Sequence, residues 1–239
     1  MSGHSHWAGI KHRKGLNDAK RAKIFTKYGK LITIAAREGG GDMETNFKLR
    51  LATDRARAEN MPKENIERAI KRGTGELKDG AEIVEVVYEA YGPGNVAMLI
   101  KCATDNKNRT LGEIKTILSK MTGKMVPAGS VSFLFKLVGA ISISLEKDIN
   151  QATLEMKAIE AGAEDTLFDD NLLTVYTKIE NVQKVKENLE KENITIDNAG
   201  LIYLPTQKHT FSDKDKDTYE KLLEALDEQD DTEEIYDNL

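Results

Sequence analysis

The sequence predicts an α+β fold: an N-terminal three-helix bundle followed by two α/β domains, one a ferredoxin-like β-α-β-β-α-β insertion in the other. Three observations predict it. Apolar residues recur at helical spacing as far as Arg72, and from Ala81 the period changes to strand-like runs rich in Val, Ile and Tyr. From residue 131 the runs alternate strand, helix, strand, strand, helix, strand. Domains are therefore expected at 1–78, at 79–130 together with 205–239, and at 131–204.

The first helix follows from Ile24, Phe25, Tyr28, Leu31, Ile32 and Ala35, which make one apolar stripe. Lys20, Lys23, Lys27, Lys30 and Arg37 fall on the opposite side, as a row of cations expected to point to solvent. Gly39-Gly40-Gly41 ends the helix. Asp42 is a plausible cap for a second helix running to about Asn60. Pro62 suits the start of a third, Lys63 to Arg72, with Ile66, Ala69 and Ile70 inward and a basic rim at Lys63, Arg68, Lys71 and Arg72.

Two strand-like runs, EIVEVVYEAYG and NVAMLIKCATD, are joined by Gly92-Pro93-Gly94-Asn95, which is hairpin chemistry. A helix from about Arg109 to Met121 follows, capped by Asn106 or Asn108. Its N-terminus lies beside Lys107 and Arg109, which is either an anion site or simply an Asx-type turn opening a helix. Punctuation at Val126-Pro127-Ala128-Gly129 precedes the inserted unit. Its helices are expected over 150–163 and from Val182 to Glu190, and its final strand is ITIDNAGLIYLP. Asp169-Asp170-Asn171 reads as a tight turn rather than a metal cluster. Last come a short strand near Gln207 to Phe211, a helix from about Lys214 to Leu226, and the acidic run DEQDDTEEIYDNL, read as a solvated end that also has the charge to compete with nucleic acid for the basic arm. The strand and helix are expected to return to the Ala81–Met121 unit and complete its sheet.

Charge is distributed unevenly. Residues 1–37 hold nine Lys or Arg against one acid, Asp18, a local +8 in a chain of formal net charge −5. Residues 1–78 carry 18 basic and 9 acidic side chains, whereas the remainder carries 17 and 31. Such an excess repels itself unless partnered, so it is expected to face a polyanion, with each neutralised phosphate releasing counterion. The alternative is an ordinary solvated helix face, although such faces usually interleave Glu with Lys at i,i+4 and this one does not.

Ahead of the helix, His4, His6, Trp7, Lys11, His12, Arg13 and Lys14 form an arm without helical period. Trp7 either stacks on an exposed base or anchors the arm to the folded body. The three histidines lack a cysteine or carboxylate at ligand spacing, so no metal is expected, and no residue set implies a cofactor. Charged residues at 31% and apolar residues at 39% mark a soluble globular chain, without a run that spans a bilayer or an apolar signal region. Cys102, the only cysteine, sits in an apolar run and reads as a core thiol. There is no Walker loop, no Rossmann fingerprint and no convincing nucleophile–base pair, so an enzyme is not expected.

The segments GHSHWAGIKHRKGLNDAKRAKIFTKYGKLI, YEAYGPGNVAMLIKCATDNKNRT, GSVSFLF and AIEAGAEDTL resemble the successive signature segments of the YebC/PmpR family over nearly the full length. The resemblance implies three domains and a cytoplasmic DNA-binding transcriptional regulator. Other members, among them the mitochondrial translational activator, act on the translating ribosome. His6 and Gly9 stand where many members have lysine and asparagine, and Lys107 where arginine is common; the last exchange keeps charge and loses the bidentate fork. The signature begins at Gly3, which favours a bacterial-type cytoplasmic member over one with a presequence. The expected partner is nucleic acid, either DNA or ribosomal RNA. Lys11, His12, Arg13, Lys14, Lys20, Arg21, Lys23, Lys27 and Lys30 would hold phosphate, with Lys107 and Arg109 as a second contact.

Overall fold

The computed structural model describes residues 18–78, 80–145, 150–169, 171–210 and 212–239, without the side chains of residues 18–20 and 213. The fold is α+β and divides into two compact units. One comprises the described residues up to 135 together with 205–239, and the other residues 136–204.

The first unit opens with three helices, α1 (Asp18–Gly39), α2 (Phe47–Ala58) and α3 (Lys63–Gly73). Ile32, Ala35, Ala36, Leu49, Ala56, Met61 and Ile66 form their shared core, with Phe25 and Tyr28 packed against it. Gly40, at φ +84°, takes the left-handed turn that ends α1. Gly73 permits close approach of α3 to α1, since a Cβ there would lie 2.4 Å from the Thr33 carbonyl oxygen. The cap of α2 is Asn46 rather than Asp42: its Oδ1 accepts from the Leu49 amide at 3.0 Å and its Nδ2 donates to the Ala35 and Gly40 carbonyls. Asp42 instead closes the preceding turn, accepting from the Glu44 amide. Both are good capping residue types, and position relative to the end of α1 decides between them.

A four-stranded sheet follows, in the order β3-β1-β2-β8. Its strands are β1 (Val84–Tyr91), β2 (Ala97–Thr104), β3 (Lys124–Val126) and β8 (Thr232–Asp237), with α4 (Lys107–Lys120) and α7 (Asp213–Asp227) between them in sequence. β1 and β2 pair antiparallel from Val84↔Thr104 to Tyr91↔Ala97, and Gly94 and Asn95 adopt the positive φ that the hairpin turn needs. One face is apolar: Ala90, Met98, Ile100, Cys102 and Ile235 pack against Ile114 and Leu118 of α4 and Tyr219, Leu222 and Leu226 of α7. The other face meets the bundle through Ile34, Ile83 and Ala103 and through a layer of charged side chains.

Two expectations are corrected here. No strand forms among the described residues of 207–211; β8 completes the sheet instead. The acidic run that ends the chain is therefore not a solvated tail, for all six residues of β8 are buried. Its carboxylates read as solvent-facing because their cationic partners lie more than 100 residues away in sequence. The short β3 was also missed, hidden beside the Pro127-Ala128-Gly129 punctuation.

The second unit comprises β4 (Phe135–Ser144), α5 (Gln151–Ala161), β5 (Asp165–Asp169), β6 (Leu172–Thr177), α6 (Val182–Lys191) and β7 (Asn198–Pro205), with sheet order β5-β6-β4-β7. That is the ferredoxin-like arrangement. β4 begins later than its sequence run because residues 132–134 form a 3-10 turn. β5 ends at Asp169 and β6 begins at Leu172; Asp170, part of the turn expected there, lies outside the described residues.

Candidate nucleic-acid interface

The row Lys23, Lys27, Lys30 lies on one face of α1 at i, i+4, i+7, as its spacing demands. That face looks at the protein's own C-terminal segment. Lys23 Nζ donates to the Glu228 carbonyl at 3.1 Å and pairs with Asp230 at 3.1 Å. Lys27 Nζ donates to the Asp227 carbonyl at 2.8 Å and lies 3.6 Å from its carboxylate. Lys30 Nζ donates to the Asp230 carbonyl at 2.9 Å and to Asp231 Oδ1 at 2.6 Å. The last carbonyls of a helix have no partner within it and sit at the negative end of its dipole, so Lys27 and Lys23 cap α7, while Lys30 holds the segment just beyond it. The expectation of a solvent-facing row is corrected in part: among its described side chains Lys27 and Lys30 are half-buried and paired with carboxylates, whereas Lys23 and Arg37 are exposed, Arg37 pairing with Glu82 at 2.9 Å.

Asp231 is the hub. Besides Lys30 it accepts from Thr110 Oγ1 at 2.6 Å, Arg109 Nη2 at 2.8 Å and Thr104 Oγ1 at 3.2 Å. Burial alone would raise its pKa, but hydrogen bonds from Lys30, Thr110 and Arg109 outweigh it and hold the carboxyl well below the usual carboxylate range. Asn106 does cap α4, accepting from the Arg109 amide at 3.1 Å. The anion beside this helix start is the chain's own Asp231, which Arg109 grips together with Asp105 at 2.9 Å. Lys107 is exposed, and its carbonyl accepts from Tyr88 Oη at 2.9 Å.

Two further carboxylates of β8 extend the charged layer. Glu234 accepts from Tyr236 Oη at 2.7 Å, Arg55 Nη1 at 3.3 Å and Lys101 Nζ at 3.4 Å. Burial would raise its pKa, and the charges of Lys101 and Arg55 keep it low. Glu233, at the β-bulge beside Cys102, has a buried Oε1 without a hydrogen-bond partner among the described residues. Burial pushes its pKa up to about 8 against the opposing charges of Lys27 and Lys30. Burial likewise pushes the Cys102 thiol up to about 12, consistent with a core residue.

Of the other predicted contacts, Trp7, Lys11, His12, Arg13 and Lys14 lie outside the described residues, as does the side chain of Lys20. Arg21 is exposed at the start of α1. The structure thus brings Lys23, Lys27, Lys30 and Arg109 to one network and leaves Lys107 apart from it. Sequence reasoning missed Asp231 and Glu234, because no local pattern in the acidic run, DTEEIYD at 231–237, marks these carboxylates as buried.

Beside this network a cleft of about 910 Å³ opens between α1, α3 and the start of α4. Phe25, Gly29, Met61 and Ala69 give it an apolar wall, and Lys30, Arg68, Arg72 and Arg109 bring cations to it.

Models of the TACO1/YebC protein N-terminal domain and of the TACO1/YebC second and third domain match residues 5–76 and 83–239. The chain belongs to the TACO1/YebC family. Relatives named probable transcriptional regulatory protein include those of Caldanaerobacter subterraneus, 48% identical over 100% of this chain and 98% of the relative, and Persephonella marina, 49% identical over 100% and 95%. A crystal structure of a conserved hypothetical protein from Aquifex aeolicus matches with a TM-score of 0.89 at 42% identity, covering 98% of this chain and 96% of that one. TACO1/YebC relatives of this chain are thus named as regulators. Among its described residues no helix is long and apolar enough to cross a membrane.

Proposed function

We propose that this protein is a nucleic-acid-binding regulator of gene expression, acting on DNA through its N-terminal basic surface. The observation that carries the reading is the charge of residues 1–37, nine cations against one acid. The names of its relatives support the regulatory part. Lys11, His12, Arg13, Lys14, Lys20, Arg21 and the exposed Lys23 hold phosphates, with Lys107 as an outlying contact. Lys27, Lys30 and Arg109 serve first to fasten the bundle to the C-terminal strand. Phosphate contacts of this kind position a protein without reading bases. Binding involves no bond chemistry, so substitutions change affinity rather than turnover.

The test is the salt dependence of binding to a mixed-sequence duplex. Replacing Lys11, Arg13 and Lys14 with Ala is expected to flatten the plot of log K against log salt by about 0.9 for each phosphate no longer neutralised. An unchanged slope removes the arm from the footprint. A second reading places the same cations on ribosomal RNA, and the concave cleft beside α1 favours it, because RNA offers unpaired, splayed bases. Crosslinking in cells with sequencing of both DNA and RNA separates the two.

A further inference from the structure

We infer that the cleft between α1, α3 and the start of α4 takes an unpaired segment of nucleic acid, with a base against Phe25 and a phosphate on Arg68. The inference rests on the nucleic-acid reading above and adds the form of the ligand. Three observations carry it.

The first is charge. Each carboxylate lining the cleft already has a donor from the protein: Asp231 from Lys30 and Arg109, Asp105 from Arg109, Asp230 from Lys23, and Glu113 from Gln229 Nε2 at 2.9 Å. Arg68 is exposed, and no hydrogen bond or ion pair engages it among the described residues. Arg72 donates to the Ala81 carbonyl at 3.1 Å, so the cation left over in the cleft is Arg68, whose planar fork suits phosphate.

The second is the chemistry of the apolar lining. Phe25 presents an aromatic ring beside Met61 and Ala69. An aromatic ring and a cation lining one cleft are the combination that holds single strands, since every base has a π-face and every nucleotide a phosphate.

The third is shape. A concavity of about 910 Å³ lies within the size range of small-ligand pockets and admits one or two nucleotides. A double helix is convex and its bases are stacked inside, so it lies across the mouth without entering.

The test uses the full chain with three fluorescently labelled probes at one salt concentration: a U12 RNA, a T12 DNA and a mixed-sequence duplex. Wild type is expected to bind at least one single strand. Arg68→Glu is expected to weaken that binding about tenfold while changing duplex binding less than twofold, and Arg68→Lys to recover part of the loss. Arg68 is exposed, and an unchanged circular dichroism spectrum verifies the fold of each variant. Photocrosslinking of 5-iodouracil-substituted strands is expected to mark the peptide that contains Phe25. Comparison of U12 with T12 tells whether the cleft uses the 2′-hydroxyl. Duplex binding without single-strand binding, an equal loss for all probes, or a crosslink elsewhere overturns the cleft while leaving the basic surface intact. Failure to bind any probe at low salt overturns the parent reading, and the cleft with it.

Discussion

The two ends of one lysine row on α1 behave as different structural objects. Lys30 meets Asp231 with side chains 15% and 3% exposed, whereas Lys23 meets Asp230 at 54% and 73%. The separation is two helical turns and the chemistry is the same. Depth decides what each pair does: a buried pair missing one member leaves an uncompensated charge, whereas an exposed pair exchanges readily with water and salt. Helical spacing told which way the lysines point, but not what they would meet.

The largest effect is expected at the deep end. Asp231→Ala takes from the half-buried Lys30 its carboxylate, leaves Arg109 with Asp105 alone and removes the carboxylate acceptor of Thr104 and Thr110, at a cost of about 3–5 kcal/mol, measurable by urea unfolding. A loss under about 1 kcal/mol would show that the network is peripheral to stability. The sign of the acid response follows. The folded pKa of Asp231 lies below its unfolded value, so its contribution is fully present above the unfolded carboxylate pKa of about 3.9 and disappears as pH falls below it. Wild type should therefore lose stability below about pH 4 more steeply than Asp231→Asn.

Glu233, two residues along, responds in the opposite direction. Its folded pKa is raised to about 8, so the native state holds a proton that the unfolded chain has released. Its contribution is complete at low pH and is lost as pH rises from about 4.5 to 8, at a limiting slope of roughly 1.4 kcal/mol per pH unit. Glu233→Gln keeps a neutral, similarly shaped side chain and should abolish that dependence. Above pH 8 the variant should be the more stable protein. Parallel stability curves for the two proteins between pH 5 and 8 would show Glu233 to be ionised in the fold.

Much of the fold was legible because it rests on local signals. The apolar stripe of α1, the Gly92–Asn95 turn and the β-α-β-β-α-β order are each written within a few residues. What was not legible depends on partners far away in sequence. Asp231 lies 201 residues from Lys30 and 121 from Thr110, and nothing in DEQDDTEEIYDNL distinguishes a solvated end from a buried strand except the cations that neutralise it. The position of Asn106 at the start of α4 was readable; that the neighbouring anion belongs to the chain itself was not.

The smallest expected effect sharpens the comparison most. Lys23→Ala removes a pair in which both side chains are more than half exposed, so unfolding free energy should change by no more than about 0.5 kcal/mol. Its value to the protein then has to be sought in binding. If Lys23 turns from Asp230 to a phosphate, the variant should flatten the salt dependence of duplex binding by about 0.9 without altering the fold. Lys30→Ala should do the reverse, losing about 1.5–3 kcal/mol of stability through its charged hydrogen bonds while leaving the salt slope unchanged. Loss of stability in both variants would make the whole row structural. A flatter slope in both would mean that nucleic acid displaces the C-terminal segment even at its buried end, and that the carboxylates of residues 227–231 are competitors for the same lysines rather than a permanent fastening.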